Sequence, residues 1–293
     1  MISLCSLYDY NSVEDLLLDM CDVSRNKIKT KLSKKFRLSH VKKHQVIHVS
    51  IDLLNAGYIN PEFKGLKKPI IIEETSDFLI LSKPYGVHAH PHSYTDHNNV
   101  LSYLRSEHFF SPLNINVKNY DRGLLYRLDF ETSGLMILLK DEKLLKKYRS
   151  HFSEKVKSKI YYAIVKGKIS KQGNIKTLIK YSGFKNKKAK IITGDDNEGI
   201  KLNLEILKIN YHKDHDISLV KIKLKEGKRH QIRVQLMALG HPILGDKLYG
   251  EEHPLRMFLH CFEYQLEYEG KTLTFRDKNF YLFSHFFNPD TDF

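Results

Sequence analysis

Apolar residues along this chain switch between helical and alternating spacing, and each switch predicts an element. Val13, Leu16, Leu17 and Met20 follow helical spacing behind Ser12-Val-Glu-Asp15, a capping signal. Ser24 is a second N-cap, with Val23 and Ile28 placed for a hydrophobic staple. The helix that follows carries Arg25, Lys27, Lys29, Lys31, Lys34 and Lys35, with Ile28 and Leu32 inside. Val49, Ile51 and Leu53 alternate as a strand. Ile70–Ile72 and Phe78–Leu81 predict a strand pair turning at Ser76-Asp77. Leu124 to Leu128 alternates like a half-buried strand, and Leu135 to Leu139 is a continuous apolar run short enough for a buried one.

Val100, Leu101 and Leu104 predict a short helix, and Leu144, Leu145, Tyr148 and Phe152 another. Ile160 to Val165 is a strand closed by Gly167, and Lys185 to Lys190 a basic loop. Leu202, Leu204 and Ile206 alternate, as do Ile217, Leu219, Ile222 and Leu224 with some irregularity. Ile232, Leu236 and Leu239 then return to helical spacing, ended by Gly240 and Pro242. Strands scattered among few helices, without βαβ alternation, indicate an α+β fold. Gly57 to Pro69 holds the best linker. The expected organisation is therefore a small basic module over residues 1–60, a linker over 61–69 and a larger domain over 70–293.

Charge narrows the class of partner. The 293 residues carry 48 Lys plus Arg against 34 Asp plus Glu, a net +14 that points to a polyanion, most simply nucleic acid. No apolar run approaches a membrane span, and the N-terminus lacks the pattern of a signal peptide. The three cysteines, Cys5, Cys21 and Cys261, are far apart and odd in number, which fits a reduced, cytoplasmic protein.

Two stretches carry candidate chemistry. Asp129 stands where the Leu124–Leu128 strand would leave the core, with Arg127 on the same face. The same residues would equally cap an ordinary turn. Gly134 lets the backbone turn tightly or another chain approach closely. Glu226 to Arg233 opens the late helix: Lys228 and Arg229 lie near its N-terminus, and Arg229 and Arg233 share a face, an anion receptor or a surface ion-pair helix. His88, His90 and His92 alternate around Pro91, but no Asp or Glu stands at a matching spacing, so no metal site is expected.

Three separated stretches together resemble the RluA-type RNA pseudouridine synthases. They are Arg127-Leu-Asp-x-x-Thr-Ser-Gly134, Lys159-x-Tyr-x-Ala163, and His230-Gln-Ile-Arg-Val with Gly240-His-Pro-x-x-Gly-Asp246 and Tyr249-Gly250. Lys83-Pro-x-Gly86 with His90-Pro91, and Leu259-His260, fit the same family. The resemblance covers roughly residues 68 to 285. It implies a mixed, mainly antiparallel sheet flanked by helices, with an RNA cleft across it and no metal or organic cofactor. Residue by residue, it implies that Asp129 is the catalytic carboxylate and that Arg127 enters the RNA stack. It makes Tyr161 the ring that packs on the extruded uracil and a candidate base for the carbon-5 proton, and Arg233 the partner of Asp129. Lys83, His90, Lys228, Arg229 and His230 are then expected to contact RNA. Val23-Ser-Arg-Asn-Lys-Ile28 resembles an S-four-type RNA-binding domain, in which Arg25, Lys27 and Lys31 would meet the backbone.

The expected activity is conversion of uridine to pseudouridine in structured ribosomal or transfer RNA, with Arg233 keeping Asp129 ionised. Tyr126, Glu226-Gly-Lys228 and Gln235 depart from residues common in the family, which bears on target choice and phosphate contacts. Competing readings are a non-catalytic RNA-binding protein of the same fold and a metal-dependent hydrolase using His88, His90 and His92.

Overall fold

In the computed structural model the described residues are 1–293 except 7, 22, 55–58, 118, 183–187, 193–198, 225, 280 and 288–293. The chain divides into two compact units. One comprises residues 1–66, 88–124 and 140–142; the other comprises 67–87, 125–139 and 143–293. The first unit thus takes in more chain than the module of residues 1–60 read from the sequence.

In the first unit, β1 (Ile2–Cys5) pairs antiparallel with β2 (Val46–Val49), and α1 (Val13–Cys21), α2 (Arg25–Lys31) and α3 (Lys34–Arg37) lie between them in sequence. Ser12 Oγ accepts from the Asp15 amide at 3.0 Å and Ser24 Oγ from the Lys27 amide at 3.3 Å, so both predicted caps form. Leu16, Leu17, Val23 and Ile28 are buried in one core with Val49 and Leu53. The single long basic helix is corrected to two. Leu32 is extended (φ −120°, ψ 142°), and Ser33 starts α3 by accepting from Phe36 N. The strand through Ile51 and Leu53 is also corrected. Ser50 caps a 3-10 turn over Ile51–Leu53, which buries Leu53 without a strand partner. Helix α4 (Val100–Ser106) forms where predicted, capped by Asn99.

The second unit is built on one sheet of ten strands among the described residues. In chain order these are β3 (Ile70–Glu74), β4 (Phe78–Lys83), β5 (Ser133–Leu139), β6 (Val156–Lys166), β7 (Gly173–Ser182) and β8 (Lys188–Ile191), then β9 (Ile200–His212), β10 (Ile217–Leu224), β11 (Leu259–Tyr268) and β12 (Lys271–Arg276). Their order across the sheet is β3-β4-β5-β11-β6-β10-β9-β7-β8, with β12 also on β11. All pairs are antiparallel except β5 with β11, where Ser133 faces His260 and Gly134 faces Cys261. This is the mixed, mainly antiparallel α+β fold expected. Its central strands are buried on both faces: every residue of β4 and β5 is buried, which is why Leu135–Leu139 reads as a continuous run. The irregular spacing near Ile222 is a register shift between Lys221 and Ile222 against β9. Helix α5 (Glu142–Ser150) and a short α6 (Phe152–Lys155) connect β5 to β6, and α7 (Gln231–Ala238) follows β10.

Two predictions fail here. Leu124–Leu128 is not a strand: Leu125 N donates to Ile137 O (2.9 Å) and Tyr126 Oη to Leu135 O (2.6 Å), so the segment leans on β5 without a ladder. Of the predicted basic loop, 185–187 lie outside the described residues, and Lys188–Lys190 belong to β8, opposite Ser182 to Lys180 of β7.

Gly134 is required where β5 meets β11. Its φ is +118°, and a Cβ there would lie 2.3 Å from Cys261 O and 2.4 Å from Cys261 N. Gly240 also has positive φ (+83°) but faces open space. Gly134→Ala should cost about 3 kcal/mol or more, and Gly240→Ala only about 1–2 kcal/mol. Urea unfolding of both variants checks the contrast.

Candidate active site

The second unit carries a small cleft of about 100 Å³ whose wall includes Arg127, Asp129, Tyr161, Lys228, Arg229 and Arg233. Each comes from a different constraint. Arg233 sits on α7 and is nearly buried, at 4% side-chain exposure. Its Nε and Nη2 donate to the two carboxylate oxygens of Asp246, both at 2.8 Å, and Nη1 donates to Asp129 Oδ2 at 3.2 Å. Burial opposes the guanidinium's charge, but Asp246, with Asp129 and Glu131, more than offsets it and raises its pKa. Asp246 is fully buried and also accepts from the amides of Leu248 (3.0 Å) and Tyr249 (3.1 Å). Asp129 keeps 28% of its side chain exposed, so the ion pair opens toward the cleft.

Asp129 stands in a turn rather than at a strand end. Its carbonyl accepts from Thr132 N at 3.1 Å, and the next carbonyl, Phe130 O, accepts from Gly86 N (2.8 Å) and Lys83 Nζ (3.3 Å). Ser133 Oγ then accepts from Arg256 Nη2 at 2.7 Å and meets His260 Nδ1 at 2.9 Å. The turn is thus fixed at both ends by buried polar groups.

Tyr161 lies on β6, opposite Ile222 of β10 and Cys261 of β11. Burial first, then Cys261, Tyr264 and the charge of Asp129, raise its pKa well above the usual phenol value. Its neutral ring is therefore an aromatic wall beside an anionic carboxylate. Tyr126 stacks on Tyr264 at 4.2 Å and an interplanar angle of 7°. Lys159, two residues before Tyr161, is drawn down to about 8, chiefly by burial.

Residues 77–238, more than half of the chain, match the family described as RNA pseudouridylate synthase. The chain belongs to that family. It is similar to the ribosomal large subunit pseudouridine synthase D of Borreliella burgdorferi, 31% identical over 203 residues, covering 67% of this chain and 60% of that protein. An RNA pseudouridine synthase from Helicobacter pylori is 29% identical over 245 residues, covering 78% of this chain and 76% of the relative. The chain spans about three fifths of the length of the first of these curated relatives. The human RNA pseudouridylate synthase domain containing 1 shares the fold, with a TM-score of 0.58 at 23% identity, covering 76% of this chain and 88% of that one.

Within this family fold, the expected site residues divide. Asp129, Arg127, Tyr161, Arg233, Lys228, Arg229 and His230 all line the cleft. Arg229 and Arg233 do not share a helix face, because α7 begins at Gln231 after His230, whose φ is +57°. Arg229 is exposed and Arg233 buried. His230 sits 3.8 Å from Asp129 through Nε2 and 3.1 Å from Tyr249 Oη through Nδ1. Burial lowers its pKa, against the opposing pull of Asp129.

Lys83 is corrected from an RNA contact to a brace. It is fully buried, and its ammonium donates to Pro84 O (2.9 Å), Val87 O (2.7 Å) and Phe130 O (3.3 Å). Burial and Arg256 draw its pKa down to about 7, opposed by Asp129 and Glu131. His90, Arg25, Lys27 and Lys31 belong to the first unit. There His90 lies against Tyr120, with ring centroids 4.6 Å apart. Arg25 is 69% exposed and Lys31 exposed, while Lys27 is partly buried, with Nζ 3.4 Å from Leu54 O.

Sequence reasoning quoted Asp246 in a motif but gave it no role; Gly245-Asp246 was the available signal. Ser133, Arg256 and Tyr249 went unassigned because their partners are distant in the chain.

His260 supplies a pH test of the turn's anchor. Burial draws its pKa from 6.5 down to about 4, opposed by Asp277. The folded state therefore resists a proton that the unfolded chain accepts between pH 6.5 and about 4. This contribution is intact above pH 6.5 and is lost as pH falls toward 4, on the order of 3 kcal/mol. Unfolding free energies measured from pH 7 to 4 should fall less steeply in His260→Gln than in the wild type.

Proposed function

We propose that the protein converts uridine to pseudouridine in structured RNA, ribosomal or transfer, with Asp129 as the catalytic carboxylate. The observation that carries this reading is the Asp246–Arg233–Asp129 chain opening into a cleft beside Tyr161 in a chain of this family.

The uridine must leave its stack before the glycosidic bond can be reached, at a cost of a few kcal/mol. Arg127, exposed on the cleft wall, fills the vacated space, and Tyr161 offers its ring to the extruded base, worth about 1–3 kcal/mol. Arg233, locked by Asp246, fixes Asp129 in position and balances its charge. The carboxylate then attacks the anomeric carbon of the ribose or assists loss of a ribose proton; both routes need it ionised. The uracil detaches, turns and is rejoined through carbon 5, which finally gives up its proton. Tyr161 enters as a neutral phenol, so it acts as a stacking wall and not as a standing phenolate.

The first unit supplies electrostatic affinity. Lys29, Lys31, Lys34 and Lys35 are exposed on α2 and α3, held there by the cores beneath Ile28 and by the two serine caps. Cys5, Cys21 and Cys261 are not disulfide-bonded, which suits a reducing compartment such as the cytoplasm. Among the described residues, no helix is long and apolar enough to cross a membrane.

Incubation with unmodified cellular RNA and chemical mapping of pseudouridine tests the reaction. Asp129→Asn should lose at least about 1,000-fold in rate, on the order of 4 kcal/mol of barrier, while folding and binding RNA. Activity surviving that change removes Asp129 as catalyst, and binding without turnover by the wild type makes the protein a non-catalytic binder. Lys29→Gln, Lys31→Gln and Lys35→Gln together should weaken RNA binding and reduce the log–log salt slope by about 2. An unchanged slope would show that α2 and α3 do not touch the backbone.

A further inference from the structure

We propose that the loop preceding α4 is a divalent transition-metal site, with zinc the ion it fits best, held by His88, His92 and Asp96. The chemistry is independent of the pseudouridine reading. The sequence analysis set metal aside because no carboxylate matched the histidine alternation of 88, 90 and 92. Folding changes the set. One ligand atom each from His88, His92 and Asp96 lies within 4.8 Å of the others, and the third donor is a carboxylate, not His90. His90 instead turns Nδ1 to Pro91 O at 3.0 Å.

The loop is built to hold these three. His88 is fixed through its backbone: His88 N donates to Asn98 O (3.0 Å), and His88 O accepts from Val100 N (2.9 Å). Asp96 Oδ2 accepts from His92 N at 3.2 Å, and Asp96 Oδ1 from Asn98 N at 3.2 Å. The carbonyl of Asp96 accepts from Asn99 Nδ2 at 2.7 Å, the same Asn99 that caps α4. The imidazoles of His88 and His92 meet edge to face, with centroids 4.3 Å apart. His92 Nδ1 is 3.8 Å from Asp96 Oδ2. Two ligands on one tetrahedral zinc stand roughly 3.4 Å apart, given bonds of about 2.0–2.1 Å. The His92–Asp96 pair is already near that spacing, and the set as a whole must close from within 4.8 Å, a movement that the side chain of His92, 62% exposed, is able to supply in part by rotation.

Two imidazoles and one carboxylate suit zinc among biologically common ions, and three protein ligands leave a position for water. The ion would tie together both ends of the turn from His88 to Asp96, on the segment that carries His90-Pro91.

The test uses the full-length chain, stripped of metal with a chelator and dialysed. Titration with Co²⁺ should give visible d–d absorption that saturates at one equivalent and is abolished by one equivalent of Zn²⁺. Competition against a chromophoric chelator gives the affinity. His92→Ala and Asp96→Asn should each weaken binding by more than about 100-fold, since even groups behind the ligands carry about 10–100-fold. His48→Ala, an exposed histidine on β2, should leave it unchanged, and circular dichroism should show all three folded. Absence of saturable binding in the wild type, or wild-type stoichiometry and affinity in either ligand variant, overturns the proposal.

Discussion

A guanidinium taken out of water costs several kcal/mol unless its donors are matched, and Arg233 is almost completely out of water. Asp246 repays most of that cost with two parallel hydrogen bonds, and in doing so leaves Arg233 one direction in which to point. That direction is Asp129. The carboxylate is thus positioned by a partner that cannot turn away, because Asp246 is itself fixed by two backbone amides. Removing Arg233 or Asp246 would strand a buried charge, so for that pair stability and site geometry are the same constraint.

The remaining support is hydrogen bonding to the turn rather than apolar packing. Asp129 sits in a turn, and turns are ordinarily mobile. This one is braced by Lys83 and Gly86 at Phe130, and by Arg256 and His260 at Ser133. Behind it, Gly134 lets β5 approach β11 closely enough to make the single parallel pairing among the described strands. The antiparallel pairing of β6 with β11 sets Tyr161 opposite Cys261, and Tyr264 of β11 stacks on Tyr126. A rigid sheet therefore presents a precise cluster on a loop, the arrangement that catalysis by positioning demands.

Charge is divided differently. The described cationic residues of α2 and α3 are mostly exposed and unencumbered by core packing, which suits sequence-independent attraction to a polyanion. Within the second unit, by contrast, Lys83, Arg233 and Arg256 are buried and serve geometry. A net charge of +14 does not distinguish these two uses.

Local pattern determined a good deal. The caps at Ser12 and Ser24, the buried run of β5, the alternation of β9 and β10 and the stop at Gly240 all depend on neighbours a few residues away, so the sequence alone carried them. Asp129 and Arg233 were legible as candidate chemistry from spacing, and Tyr161 only through the resemblance to the family. Tertiary structure decided what spacing cannot encode. Leu124–Leu128 has strand periodicity but meets β5 through one backbone bond, Leu125 N to Ile137 O, and the Tyr126 side chain, so no ladder forms. Lys83 reads as a surface cation until three carbonyls enclose it, and Asp96 joins His88 and His92 only once the loop folds back. Asp246 is one acidic residue among 34 until α7 brings Arg233 against it. In each case a fold-back or a contact that hydrophobic periodicity does not encode is decisive, and for Lys83 and Asp246 desolvation, which only burial creates, sets the residue's role.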